Sequence, residues 1–370
     1  MYVRSVLAVA TSVAVVVATA TAGHAEVLNR SPEPSAHADN GTVFTSVQVG
    51  SRLYIGGSFT SVDGAPRVRL AALDAGSGDL TSFRVDVDGD IAALASDGAG
   101  TLFIGGKFNY VDGVRRNNIA AVDVSTGAVT DFDPAPNGIV RSLDHIGGMV
   151  VFGGGFTKVN GASASYLAAA DADTGALDSG FPTADGVVYT VKAAGDAVYV
   201  GGEFSRIDGT SRSRVAALSS SGSLLGYQAT PSAPVYDVAV DGAGVFLAVG
   251  GGLPNGNSLL KTTSSGSTVW RVATDGNLQA VEVVGDTVYA AGHFNKLCGS
   301  TTNGCGNTTA AKKAFVADSG GSAPNARAWA RFNSALGVWD LAQAGGSLYA
   351  LGVFTKVNGS TWPRVARFQE

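Results

Sequence analysis

The sequence predicts an all-β protein: a seven-bladed β-propeller of four-stranded antiparallel blades, its last blade closed by a strand from the start of the mature chain. Three observations carry this expectation. One glycine-bearing motif occurs seven times along 370 residues. Each copy is flanked by short β-branched or apolar runs, cut by Gly, Asp-Gly and Thr-Gly turns. The composition is rich in Gly (51 residues) and low in charge (15%), which is poor helix material and good strand-and-turn material.

The first copy, "LYIGGSFTSVDG" from Leu53 to Gly64, sets the pattern with Gly56, Gly57 and Phe59. "LFIGGKFNYVDG" from Leu102 repeats it with Gly105, Gly106 and Phe108. "VVFGGGFTKVNG" from Val150 carries Gly153, Gly154 and Phe156, and "VYVGGEFSRIDG" from Val198 carries Gly201, Gly202 and Phe204. Further copies start at Val288 and Leu348, and a worn one lies at Phe246–Gly256. The copies stand mostly 43 to 49 residues apart, with about 60 before the last, and a period in this range indicates a solenoid, propeller or array. The two ends favour a closed ring. The last copy stops after its third strand, and the segment from Glu26 to Gly41 resembles the fourth-strand stretch Ala128–Gly138. Val27–Arg30 is therefore expected to supply the outer strand of the last blade and remove an open edge.

The glycines read as places where backbones approach closely, with the Phe filling the space beside them and Asp-Gly or Asn-Gly turning the chain. A phosphate cradle would need a helix behind the glycines, and no helical pattern follows any copy. Arg69, Arg214, Lys313 and Arg364 recur just before the third strand, where Asn118 and Tyr166 also occur. They read either as partners of the turn Asp or the motif Phe, or as a cationic ring.

The pattern G-G-x-F-x-x-V-D/N-G, then a basic residue, then A-A-L-D-x-x-T-G, resembles the delta-60-repeat β-propellers of exported bacterial proteins. Gly56, Gly57, Phe59, Asp63, Gly64, Arg69 and Asp74 carry it in the first copy. The resemblance covers essentially the whole mature chain. It implies the fold and little about activity, since propellers host both enzymes and binders. The fifth copy departs from it in lacking the Phe, and the sixth has Cys298 in place of the Asp.

Residues 1–25 read as a signal peptide: Arg4 in the n-region, an apolar stretch from Val6 to Ala18, and small residues Gly23 and Ala25 before the cleavage point. An uncleaved anchor is the alternative reading, disfavoured by the short apolar run. Residues 26–370 then form one propeller domain, secreted, without membrane insertion and monomeric. Cys298 and Cys305, in a polar glycine-bearing loop, suit a local disulfide in an oxidising compartment, with a metal site or free thiols as alternatives. A formal charge of −5 argues against nucleic acid as a partner.

Function is sought where equivalent blades differ. With the innermost strands aligned on Val47, Leu94, Leu143, Val191, Val238, Val281 and Leu341, the position two residues earlier holds Thr45, Ala92, Arg141, Tyr189, Tyr236, Gln279 and Trp339. Arg141, Tyr189, Tyr236, Gln279 and Trp339 form the candidate ligand face at one channel mouth, where the cysteine loop is also expected. Such side chains bind sugars or peptides; alternatively they fill gaps between wedge-shaped blades. No catalytic set stands out. The His residues are scattered, Glu is scarce, and no sialidase Asp box or G-x-S-x-G elbow occurs. No cofactor is expected. The leading expectation is a non-catalytic binding module for a glycan, cell-wall component or protein. A polysaccharide hydrolase or lyase using Asp at the channel mouth comes second. A quinoprotein-like oxidoreductase comes last, because a vicinal cysteine pair is missing.

Overall fold

The computed structural model describes residues 27–251, 256–299 and 305–369. The expected signal segment lies outside these residues, as do parts of the worn fifth copy and of the cysteine loop. Among the described residues the elements are all strands, paired antiparallel. They build seven sheets of three or more strands, taken in chain order below.

Each sheet begins with an innermost strand: Val43–Val49, Asp90–Ser96, Val140–Ile146, Val188–Ala194, Val235–Asp241, Asn277–Val284 and Val338–Ala344. It pairs with the motif strand, such as Arg52–Gly57, which pairs in turn with a third strand such as Leu70–Asp74. Innermost strands of successive sheets touch, and Val338–Ala344 touches Val43–Val49, so the series closes into a ring.

Seven apolar clusters fill the spaces between neighbouring sheets. Phe59 packs with Val43 and Ile55 of the first sheet and Tyr349 and Leu351 of the last. Phe108, Phe156, Phe204, Phe294 and Phe354 occupy the equivalent gaps, each essentially inaccessible. Between the fourth and fifth sheets no motif Phe exists, and Tyr199 and Tyr227 pack there instead.

The two glycines of the motif have separate tasks. A Cβ on the first would strike the next sheet: at Gly56 it would lie 2.6 Å from Ile91 Cγ2, and at Gly105 2.7 Å from both Val140 Cγ1 and Leu143 Cδ2. A Cβ on the second (Gly57, Gly106, Gly154, Gly202) would strike a backbone carbonyl at the start of its own innermost strand. That strand is bulged at this point in every sheet, for example between Val43 and Thr45.

After the motif Phe the chain forms a two-residue hairpin, such as Ser61–Val62 with Ala65–Pro66. Its turn needs positive φ at Asp63 (46°) and Gly64 (73°), which Asp-Gly supplies at low cost. The segment leading into each sheet grips this hairpin. Ala38 bridges to Val62, Val87 to Val111, Ala184 to Ile207 and Phe332 to Val357. One acceptor oxygen then takes two successive N–H groups: Asp88 from Asn109 and Tyr110, Asn137 from Thr157 and Lys158, Asp275 from Asn295 and Lys296.

Three expectations change in detail. Among the described residues, regular fourth strands occur only in the fifth and sixth sheets, at Thr268–Thr274 and Arg327–Ala328. In the first four sheets the outer segment makes a single bridge, such as Val122 with Val129, before Pro and Asp carry it away to the next hairpin. The N-terminal segment does pair with the last strand, but through Asn29 and Glu33, whose N–H groups donate to Gln369 and Arg367 carbonyls. Trp329 Nε1 and Tyr289 Oη also bond the Leu28 backbone. The recurrent basic position does not pair with the turn Asp: Asp63 is partnered by His37 and Arg69 by Asp90. Arg69, Asn118, Tyr166, Arg214, Lys313 and Arg364 all have left-handed backbone. Three of them cap carbonyls of the next lead-in segment: Arg364 bonds those of Ala38, Asp39 and Gly41, Arg214 that of Pro231 and Asn118 that of Pro136, while Arg69 stands 3.5 Å from the Asp90 carboxylate.

Cys298 and Cys305 are disulfide-bonded, with Cα atoms 4.6 Å apart. They stand in the sixth copy's hairpin, Lys296–Gly299 with Gly306–Ala310, which adds to the outer edge of the fifth sheet through Ala273 and Cys298.

Candidate functional site

The bulge decides which side chains enter the channel. In each innermost strand one residue has no partner on the motif strand: Phe44, Ala92, Arg141, Tyr189, Tyr236, Gln279 and Trp339. All seven line one cavity of about 630 Å³ at the channel mouth, within the range of small-molecule sites. The five candidate residues from the sequence are thus brought together. In the first sheet Phe44, and not Thr45, takes the equivalent place. The sequence alignment slipped by one there because Ser46, and not Val47, is the counterpart of Leu94. Neither cysteine lines the cavity.

Aromatic pairs stand on two sides of the mouth. Tyr189 and Tyr236 stack with centroids 5.0 Å apart and planes 5° apart, and the Arg141 guanidinium lies 5.5 Å above Tyr189. Both faces of Tyr189 are therefore covered. Desolvation and Glu203 push its phenol upward, and desolvation raises that of Tyr236, so both stay neutral donors. Around the ring, Phe44 and Trp339 meet edge to face at 5.4 Å. The surrounding carbonyls of Leu336 and Val338 assign the Gln279 amide with its nitrogen toward them, at 3.2 and 3.3 Å.

The residue after each bulge forms the next layer: Thr45, Ala93, Ser142, Thr190, Asp237, Ala280 and Asp340. Four of them join their strand to the following one. Thr45 Oγ1 accepts from Leu94 N–H (3.2 Å), Ser142 Oγ from Val191 N–H (2.9 Å) and Asp237 Oδ2 from Val281 N–H (2.8 Å). Asp340 Oδ2 accepts from the Ser46 hydroxyl at 2.6 Å, across the junction that closes the ring. Deeper still, Asp144 Oδ2 accepts from Ala193 N–H (2.8 Å), beside Lys192 on the following innermost strand, which also feels the charge of Glu282 from across the channel.

Burial dominates the carboxyl groups. Desolvation pushes Asp237 up to about 7, against the N–H bonds from Val281 and Val238 that favour its charge. It pushes Asp340 up to about 6 and raises Asp144 as well. Lys192 is enclosed by protein yet touched by solvent, as befits the wall of a narrow channel. Desolvation pulls its ammonium down, but Glu282, Asp144, Asp237 and Asp340 together hold it above the ordinary lysine value. Asp237 and Asp340 were not singled out from sequence. The signal was present one residue beyond each variable position, where neutral small residues alternate with two acids. No group of three or more His, Cys, Asp or Glu side chains among the described residues is arranged to hold a metal ion.

The architecture can now be set beside known proteins. The chain is similar to the WD40 repeats of RRP9 (TM-score 0.60, 9% identity, covering 93% of this chain and 99% of that one). It is also similar to the WD40 β-propeller domain of Doa1 (TM-score 0.54, 12% identity, 93% and 96% covered). The fold is a β-propeller. A third likeness is to the extracellular domain of the one-component system BT4673 from B. thetaiotaomicron, with TM-score 0.54, 13% identity, and 92% and 40% covered. The family model for a β-propeller domain of unknown function, DUF5122, matches residues 198–224, the fourth motif and the strand after it. No curated protein matches the sequence. Among the described residues no helix is long and apolar enough to cross a membrane.

Proposed function

We propose that this chain is an exported, monomeric, single-domain propeller of seven blades, related to the delta-60-repeat proteins. Its channel mouth binds an extracellular glycan, cell-wall component or protein without transforming it. The seven sheets serve as blades, the single bridges standing in for regular fourth strands. One observation carries the binding reading: seven unlike residues, one from each bulge, converge on one cavity. Packing alone asks for similar residues at equivalent places, as the motif Phe and glycines demonstrate. A screen of glycans, peptidoglycan fragments and peptides, with turnover measured on every hit, tests it. Hits that bind unchanged and are lost in Tyr236→Ala and Trp339→Ala support it; hits indifferent to both substitutions refute it.

A hydrolase or lyase is the second reading, favoured by Asp237 and Asp340, whose raised values suit a general acid. It ranks lower because both carboxylates already accept bonds that join neighbouring strands. Product release from any bound polysaccharide, abolished in Asp237→Ser, would reverse the order.

A further inference from the structure

The layer beneath the mouth contains an unexplained choice. Thr45, Ser142, Asp237 and Asp340 all accept a hydrogen bond from the following innermost strand. A hydroxyl suffices twice. Ala93 and Ala280 occupy the same layer with no side-chain bond at all. The joint therefore does not require a charge, and burying a carboxylate has a free-energy cost that a hydroxyl avoids. Asp237 and Asp340 supply something besides the joint, and both line the cavity floor.

The surrounding charge indicates what they face. On the innermost strands at and below that layer stand Asp144, Asp237, Asp241, Glu282 and Asp340, with Lys192 as their cation and His145, stacked on Phe103, as the further titratable group. The first two innermost strands add no charge at that depth; Asp90, at the rim, lies 3.5 Å from Arg69. At the mouth stand two cations, Arg141, placed over Tyr189, and Lys107, opposite Asp90 on the ladder. The lower channel thus carries more negative than positive charge, and aromatic side chains frame its entrance. Aromatic faces and desolvated carboxylates together select cations.

We propose that the cavity takes a ligand bearing an organic cation, a primary ammonium, which passes Tyr236 and Trp339 to reach Asp237 and Asp340. This rests on the ligand-binding reading above and names the chemistry of that ligand. Lysine side chains and amino sugars both carry the group.

The test is calorimetric titration of the full mature chain with cadaverine and with 1,5-pentanediol, its neutral analogue. Asp237→Ser copies the joint that Ser142 makes to a backbone N–H, and Asp340→Ser leaves a hydroxyl facing that of Ser46, so both remove charge and keep a polar side chain at the joint. The expected result is cadaverine binding at least tenfold tighter than the diol and at least tenfold weaker in each Ser variant. Binding should also tighten from pH 5 to pH 8, as the two carboxyl groups ionise while the amine stays charged. Trilysine or triglucosamine binding more tightly than cadaverine supports the proposal and identifies the carrier. Equal binding of amine and diol, unchanged binding in both Ser variants, or no amine binding overturns it. A neutral ligand that binds and is lost in Tyr236→Ala would overturn this inference while leaving the ligand-binding reading in place.

Discussion

Where the second sheet meets the third, Gly105 lies against Val140 and Leu143, and Phe156 seals the gap with Phe103 and Phe152. Arg141 belongs to the same strand as Val140, yet it turns the other way into the cavity. The first set of positions recurs in nearly every unit. The second changes from Phe to Ala, Arg, Tyr, Gln and Trp around the ring. Each joint faces the same task, fitting one twisted sheet against another, so it converges on one solution. The channel positions face a common space instead, and that space can be furnished differently by each unit. The bulge separates the two regimes: its extra residue leaves the ladder and points inward, while its neighbours remain in the joint.

The sharpest way to break this contrast is to attack a joint. Phe156→Ala should lower unfolding free energy by about 3–5 kcal/mol, as for other buried Phe truncations, read from urea denaturation. Gly105→Ala should cost about 1–3 kcal/mol by overpacking against Val140 and Leu143. Equivalent substitutions in other units should behave alike, since the joints are alike.

Channel substitutions should act on pH response more than on stability. Asp237 and Asp340 hold their protons more tightly folded than unfolded, because their folded values, about 7 and 6, lie above the ordinary carboxylate range. Their contribution is present at low pH and lost as pH rises through about 6 to 7. The double replacement Asp237→Ser with Asp340→Ser should therefore flatten the fall in melting temperature between pH 5 and pH 8. A slope unchanged from the native protein would remove these carboxyl groups from the account. The smallest effect is expected at the mouth. Tyr236→Ala and Trp339→Ala should each shift unfolding by less than Phe156→Ala, about 1–2 kcal/mol, since both side chains are only partly buried. Ligand binding, by contrast, should be lost.

The repeat, its strand character and its Asp-Gly turns were legible because they obey local rules: backbone conformation, alternation and turn chemistry act over a few residues. The variable residues Arg141, Tyr189, Tyr236, Gln279 and Trp339 were legible as exceptions within a repeat. Phe44 was missed because a bulge shifts register by one residue, and nothing in "VFTSVQV" marks where the extra residue stands. Asp237, Asp340, Asp144 and Lys192 were missed for a different reason. They lie far apart in sequence, and Asp is common at turns such as Asp123, whose carboxyl is drawn down to about 2 by the hydroxyl and N–H bonds from Ser125 and Thr126.

The sequence by itself determined the repeating unit, because each unit's strands and turns are specified within it. Only the tertiary structure decided which side chains share the channel, which acids are desolvated there, and that the ends meet at Asn29 and Glu33. Those outcomes depend on closing a ring, where the burial of one residue is set by neighbours from every other unit.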